Sequence, residues 1–434
     1  MKKMIYLIIF LLTIPLYGAG TVYLDISGAT FKRIPVAVPK FIAKDNSNDN
    51  LSLILQKELV KALNYTDLFE IIGEENYLGD ASKEGYSTKD INFDNWKTIG
   101  VELLIKGNYK YKGDVIIVEI RAFDPYQAKF IFGRRYKLDK EHMVKAVYKF
   151  VNELLKAITG KKGVLGSKIA FQYRAPGSKT KDIYIMNSDG TNFKRITSYN
   201  RITMFPAWFP NGKKIVFSGF VKSYPDIFIA NLLSGKIYPL VSSRTQDIGP
   251  RVSPNGEQIA FSSSKNGNSE IYTIETNRSN RHRVTFSPYI DVSPTWSPDG
   301  EQLAFISNRA GNPHLYVIRS DGGSAKRITF QGKYISAPDW SPDNNYIAFS
   351  RSDNGSKFDI YLVKPDGSDL RQLTSGAGSN EHPRWSSDGR YLVFTSNRSG
   401  HYQLYIINVS SGKSWRIKDL PGDAKQPAWS KVSF

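Results

Sequence analysis

Residues Pro294-Thr295-Trp296-Ser297-Pro298-Asp299-Gly300 run directly towards an apolar triplet, Leu303-Ala304-Phe305. The same phrase recurs along the chain. Its prolines are Pro206, Pro250, Pro294, Pro338, Pro383 and Pro427, spaced by 44, 44, 44, 45 and 44 residues. The aromatic residue two positions on is Trp208, Trp296, Trp340, Trp385 and Trp429, with Val252 the one substitute. A fixed period of this length is the mark of a repeat architecture, and it dictates how everything around it is read.

Each period holds four short strand candidates. The Pro-x-Trp strand is followed by a wholly apolar one: Ile215-Val216-Phe217, Ile259-Ala260-Phe261, Leu303-Ala304-Phe305, Ile347-Ala348-Phe349 and Leu392-Val393-Phe394. A third follows, as in Ile271-Tyr272 and Leu315-Tyr316, and a fourth, as in Arg283-Val284-Thr285 and Arg327-Ile328-Thr329. Asp299-Gly300, Asp321-Gly322, Asp366-Gly367 and Asp388-Gly389 supply turns in which glycine takes the positive φ. Four antiparallel strands per period make a propeller blade. A second strand without alternation fits a sheet covered on both faces by neighbouring blades. At the ends, Ile169-Ala170-Phe171 opens the repeat as a second strand with no Pro-x-Trp strand before it. Pro427-Ala428-Trp429-Ser430 is a first strand with four residues after it. Each end supplies what the other lacks. The expectation is a six-bladed β-propeller over 161–434, its ring closed by the C-terminal strand, which also removes open sheet edges.

Upstream the grammar changes. Over 21–160, Leu51, Leu55, Leu59 and Leu63 form one helical stripe. Met143, Val147, Val151, Leu154 and Ile158 form another, with Asp139 as N-cap and Gly160 as the stop. Val36-Ala37-Val38 and Leu103-Leu104-Ile105 read as short buried strands, and Asp114 to Asp124 with Phe130 to Leu138 as a strand pair. This predicts a small α/β domain, so the fold class is mainly β. Lys161-Lys162-Gly163 reads as the boundary. Over 1–20, Lys2 and Lys3 precede an apolar run from Met4 to Leu16 and a small-residue exit at Gly18-Ala19-Gly20. That is the layout of a cleaved secretory signal peptide, and it points to a bacterial periplasm.

Among 434 residues there are 59 basic and 40 acidic side chains, for a net charge of +19, and no cysteine. Without cysteine there is no disulfide scaffold, thiolate zinc site, thiol nucleophile or lipid-anchoring thiol. The charge would suit a nucleic-acid binder, but the excess lies in the propeller, where 161–434 holds 36 basic against 21 acidic residues. Arg195, Arg283, Arg327 and Arg416 recur on the outermost strand of their blades, where charge discourages edge pairing. The rest reads as one binding face, so nucleic acid is not the expected partner.

Catalytic patterns are absent from the sequence. No Gly-x-Ser-x-Gly occurs, and with the repeat running to residue 430 a hydrolase domain beside it is not expected. Gly412-Lys413-Ser414 lacks the upstream glycine of a phosphate loop, that position holding Ile407. His142, His282, His314, His382 and His401 show no metal-ligand spacing. Most candidate acids, including Asp189, Asp299, Asp321, Asp366 and Asp388, fall in turns. No cofactor, metal or catalytic residue is expected.

A binding face follows from blade geometry. The connections between blades and the loops after each second strand share one face. The inter-blade connections end in Met204-Phe205, Asp247-Ile248-Gly249, Asp291-Val292-Ser293, Ile335-Ser336 and Glu381-His382, with Lys425-Gln426 closing the series. Arg174, Lys222, Lys265, Arg309, Arg351 and Arg398 stand shortly after the second strands. The expectation is a mouth of acidic and apolar groups inside a basic rim, a mixture suited to a protein partner.

The blades resemble the WD40-like PD40 repeats of the TolB family. The stretch from Leu154-Leu155-Lys156 to Lys161-Lys162-Gly163, running into Ser167-Lys168-Ile169-Ala170-Phe171, is similar to that family's link into its first propeller strand. Ile34-Pro35-Val36-Ala37-Val38-Pro39 resembles its early N-terminal strand, and Asp94-Asn95-Trp96 through Gly107 the strand entered from a tryptophan. The resemblance implies a non-enzymatic, monomeric part of the periplasmic Tol–Pal envelope system that supports outer-membrane integrity and constriction during division. It implies two partners, the peptidoglycan-associated lipoprotein Pal at the propeller face and the inner-membrane protein TolA at the N-terminal segment. That segment is here Thr21-Val22-Tyr23-Leu24-Asp25, where the mature chain starts almost at once. The other reading of an exported propeller is a hydrolase or a cell-wall glycan-binding module.

Overall fold

A computed structural model describes residues 32–45, 50–81, 83–139, 142–376 and 378–431. The expected signal peptide over 1–20 and the segment Thr21-Val22-Tyr23-Leu24-Asp25 lie outside the described residues.

The N-terminal part is a sheet with helices on both faces. Its strands are β1 (Ile34–Ala37), β2 (Ile42–Ala43), β3 (Phe69–Ile72), β4 (Leu103–Lys112), β5 (Val115–Asp124) and β6 (Lys129–Leu138). They lie in the order β3-β1-β4-β5-β6, with β2 also on β4. β1 runs parallel to β3 and β4, whereas β4-β5-β6 is an antiparallel meander. Helices α1 (Leu51–Tyr65) and α3 (Met143–Thr159) bury their stripes against one face. The short α2 (Phe93–Thr98) packs Phe93 and Trp96 on the other. The Asp139 carboxylate accepts the His142 backbone N–H at 3.0 Å ahead of α3, and Gly160 ends α3 at φ +75°. The sequence reading shortened β4. Only Leu103-Leu104-Ile105 stood out as apolar, yet the strand continues to Lys112 because Asn108 and Lys106 are buried within the sheet.

The repeats form six four-stranded antiparallel sheets. Each second strand is fully buried through its apolar triplet, as in Leu303, Ala304 and Phe305 at 0% exposure. The blade that opens with Lys168–Arg174 takes its innermost strand from Asp423–Trp429, with Ala428 opposite Ala170 and Trp429 opposite Ile169. The C-terminal strand therefore closes the ring, as the split repeat predicts. The blade-end tryptophans join neighbouring blades. Nε1 of Trp296 donates to Arg251 O at 3.0 Å, Trp385 to Asp339 O at 3.1 Å and Trp208 to Ala428 O at 3.0 Å. Each satisfies the indole N–H of a ring that is buried (Trp296 and Trp385) or half-buried (Trp208) at the blade junction.

The two parts meet on the face of the strand-joining turns. Asp67, almost fully buried, accepts from Arg33 at 2.6 Å on its own side. Across the junction it accepts from Ser411 Oγ at 2.7 Å and pairs with Lys413 at 3.2 Å. Tyr148 OH donates to Asp189 at 2.8 Å, and Tyr65 OH to Ser188 O at 3.0 Å. Asn152 is fully buried and pins the linker with two hydrogen bonds to the Leu165 backbone. Among the described residues of the N-terminal part, these contacts all fall on that one face and leave the opposite face of the ring clear.

Candidate functional site

The clear face is where the six innermost strands enter the channel, and there the backbone departs from a regular strand. Every innermost strand carries a register shift against its neighbour, two to three residues into the strand. The residue before the repeat proline is left-handed in all six: Phe205 (φ 52°), Gly249 (68°), Ser293 (57°), Ala337 (53°), His382 (57°) and Gln426 (53°). This is a β-bulge built on an αL residue. For the five that are not glycine the conformation costs about 1 kcal/mol or more each, and it persists only because the surroundings over-determine it. The bulge N–H groups are held by the preceding blade: Gly249 N by Ser218 Oγ, Ser293 N by Ser262 Oγ, His382 N by Ser350 Oγ and Gln426 N by Thr395 Oγ1.

The bulges set two side chains per blade at the channel mouth. Met204, Phe205, Ile248, Gly249, Val292, Ser293, Ser336, Glu381 and His382 are all half-buried. So are Lys425 and Gln426. The Phe205 and His382 rings lie 6.4 Å apart, and the Gln426 side chain accepts the Phe205 N–H at 3.1 Å. Beside them, the Lys425 ammonium sits over the Tyr402 ring and Glu381 accepts from Ser379 Oγ at 2.8 Å. Burial pushes the His382 imidazole down to about 4, with Lys425 and Arg251 adding to the effect against the pull of Glu381. His382 is therefore neutral at pH 7.

Three expected mouth residues are elsewhere. Asp247 and Asp291 are fully buried: Asp247 pairs with Arg281 at 3.2 Å, and Asp291 with Arg309 at 2.7 Å. Ile335, in the same phase of its blade, is in the hydrophobic core. The mouth therefore offers apolar groups and one pocket of charge at Glu381 and Lys425, not a ring of acids. The residue that opens the strand points into the blade, and alternation puts the next one in the channel.

The basic rim divides in the same way. Arg309 stacks on Phe305 and Tyr316 while pairing with Asp291, and Arg398 stacks on Phe394 and Tyr405 while donating to Asn380 at 2.9 Å. Arg351 lies over Tyr361 and pairs with Asp353 at 2.7 Å. These guanidiniums tie strands of one blade together. Arg174 is half-exposed and bonded to Asp423. Lys222 and Lys265 project into solvent without an ion pair among the described residues.

A second latch escaped the sequence reading. An acidic residue near the start of the third strand is bonded to the fourth. Asp182 holds Arg195 (2.7 Å) and Thr197 (2.8 Å), and Glu270 holds Arg283 (2.9 Å) and Thr285. Asp359 holds Gln372 and Thr374. The arginine Nε groups turn inwards, Arg195 to Thr197 O, Arg283 to Thr285 O and Arg327 to Thr329 O. These strand-four arginines are thus bonded within their blades, where the sequence suggested bare edge charges. The signal was present as acid and arginine thirteen residues apart in phase with the repeat, visible at 182/195 and 270/283.

Among the described residues no group of three or more His, Asp or Glu side chains is placed to hold a metal ion, and no helix is long and apolar enough to cross a membrane. The arrangement is a shaped, mostly apolar mouth on a closed ring.

The TolB amino-terminal domain model matches residues 22–130, and the TolB beta propeller domain model matches residues 155–433. Similar curated proteins include the Tol-Pal system protein TolB of Desulfosudis oleivorans, 32% identical over 216 residues covering 49% of each chain. Another is the Tol-Pal system protein TolB of Syntrophus aciditrophicus, 33% identical over 228 residues, 51% of this chain and 50% of that one. The matches span about half the length of these relatives. The crystal structure of TolB from Acinetobacter baumannii shares the fold, with a TM-score of 0.80 at 22% identity over 92% of this chain and 97% of that one. With a propeller model covering more than half its length and the amino-terminal model before it, the chain belongs to the TolB family.

Proposed function

We propose that this chain is a non-enzymatic docking protein of the Tol–Pal envelope system, acting in the periplasm after removal of its signal peptide. The propeller mouth takes a Pal-like peptidoglycan-associated lipoprotein, and the segment Thr21–Asp25 takes a TolA-like inner-membrane protein. Together they support outer-membrane integrity and constriction during division.

The observation that carries the reading is the mouth itself. At this layer the blades stop resembling each other: Met204-Phe205, Ile248-Gly249, Val292-Ser293, Glu381-His382 and Lys425-Gln426 occupy equivalent repeat positions with unlike side chains. Strain and half-buried apolar groups gather there, which is what a central hot spot for a protein partner needs. Lys222 and Lys265, exposed on the rim, would speed encounter with an acidic surface.

The test is calorimetric titration of the mature chain with the soluble domain of the Pal-like lipoprotein from the same organism, alongside incubation with muropeptides. Saturable binding is expected, weakened about 100-fold by Met204→Glu, with no muropeptide turnover. Absence of binding together with muropeptide turnover would overturn the proposal in favour of a hydrolase.

A further inference from the structure

One layer further into the channel, two positions on from each bulge residue, the residue after each repeat proline forms a second layer: Ala207, Arg251, Thr295, Asp339, Arg384 and Ala428. The sequence gives two guanidiniums, one carboxylate and three small side chains. Arg384 spends Nη1 on backbone carbonyls, at 3.1 Å from Ala337 O and 2.6 Å from Pro383 O. Arg251 spends its own on Pro250 O at 3.1 Å. The Nε groups of both are buried and without a hydrogen-bond partner. Asp339 does not resolve this. Its Oδ1 is 4.0 Å from Arg384 Nε, beyond hydrogen-bond reach, and Oδ2 accepts the Trp385 N–H at 2.8 Å.

Guanidinium does not give up its proton in proteins, so this layer holds one more positive than negative charge, with two donors unspent. Such groups are costly unless something accepts from them. Below them opens a cavity of about 300 Å³, lined by these three residues and by the five blade-end tryptophans. Its size lies at the low end for small-molecule sites and far below that for a protein segment.

We propose that this chamber binds a small organic monocarboxylate, its carboxylate held by the Nε edges of Arg251 and Arg384 and its apolar body against the tryptophans. The planar fork of a guanidinium matches a carboxylate. An inorganic ion would satisfy the arginines but leave the aromatic wall unused. Because the chamber lies at the opposite end of the channel from the mouth, the proposal stands apart from the docking function.

Asp339 makes the site pH-sensitive. Burial raises its carboxyl to about 7, against the opposing pull of Arg251. Falling pH therefore removes the one negative charge beside the ligand and tightens binding. The other charged groups along the channel are Lys431 at the lower exit and Lys425 and Glu381 at the mouth. His382 stays uncharged down to about 4.

The experiment titrates the mature full chain with benzoate, neutral benzamide and chloride by calorimetry, at about pH 6 and about pH 8. Benzoate is expected to bind one site at least about tenfold more tightly than benzamide, and more tightly at the lower pH. Arg251→Met should abolish binding with the thermal transition and the Pal-like titration retained, and Arg251→Lys should keep part of it. Asp339→Asn should keep binding and remove its pH dependence. Equal binding of benzamide would contradict the site, as would displacement by chloride at equal concentration, marking an adventitious ion only. No saturable benzoate heat, meaning a water-filled chamber, would also overturn it.

Discussion

The two halves of each innermost strand make a useful contrast. The half that ends in Pro-x-Trp keeps its proline six times and its tryptophan five times, and the indole N–H groups of Trp208, Trp296 and Trp385 reach carbonyls of the preceding blade. The half that enters the mouth keeps the same backbone, a bulge with φ between 52° and 68°, but carries a different pair of side chains in every blade. Repetition marks what the ring needs in order to close. Divergence on an identical, strained backbone marks surface that is free to recognise something.

The largest break in that contrast comes from removing a repeated half altogether. Deleting residues 427–434 takes the inner strand from the blade that joins the chain ends, together with the carbonyl of Ala428 that receives Trp208. Calorimetry should show the melting temperature lowered by about 10 °C or more, and an unchanged transition would mean that the ring does not depend on this closure. Next comes Arg309→Met, which leaves Asp291 buried beside no cation. A loss of about 3 kcal/mol in denaturant unfolding is expected. Lys265→Glu, on the same rim, should leave stability within about 0.5 kcal/mol and change only the association rate of the partner. If the two behaved alike, the division of the rim into latches and free charges would fail.

Gly249→Ala probes the bulge alone, since a Cβ there meets nothing within 4 Å and only the φ of +68° objects. The expected cost is about 1 kcal/mol, with no change in denaturant slope. The contrast is also tested in pH. His314 and His382 are both pushed down to about 4, chiefly by burial, so from about 6.5 to about 4 the unfolded chain holds the extra protons. Their contribution is complete above 6.5 and fades as pH falls through 4. Asp339, raised to about 7, acts in the opposite sense. Its contribution is complete below 3.8 and is lost as pH rises through 7. His314→Gln should therefore flatten the acid limb of the stability profile, and Asp339→Asn should raise stability near pH 8 relative to pH 5.

The sequence made the ring legible because hydrophobic phase and proline spacing are one-dimensional signals. Six blades, the closing strand and the helical stripes of the first part all follow from them. Side-chain direction at the mouth was not legible. Pattern alone places Asp247, Asp291 and Ile335 next to Ile248, Val292 and Ser336, and nothing in the letters says which of each pair faces the channel. The bulge decides it, and a bulge on Phe205, Ala337 or His382 has no glycine to announce it. The Arg251–Asp339–Arg384 layer was hidden for a related reason. Its members stand 88 and 45 residues apart and meet only because the ring closes.

The central claim is that recognition belongs to the divergent half of the inner strands. Hydrogen exchange of the mature chain, with and without the soluble domain of its Pal-like lipoprotein, tests it directly. The account predicts slowed exchange around residues 204–205, 248–249, 292–293, 336–337, 381–382 and 425–426, with the tryptophan end of the same strands unchanged. Protection confined to the tryptophan end or to the N-terminal part, with the mouth unaffected, would contradict it.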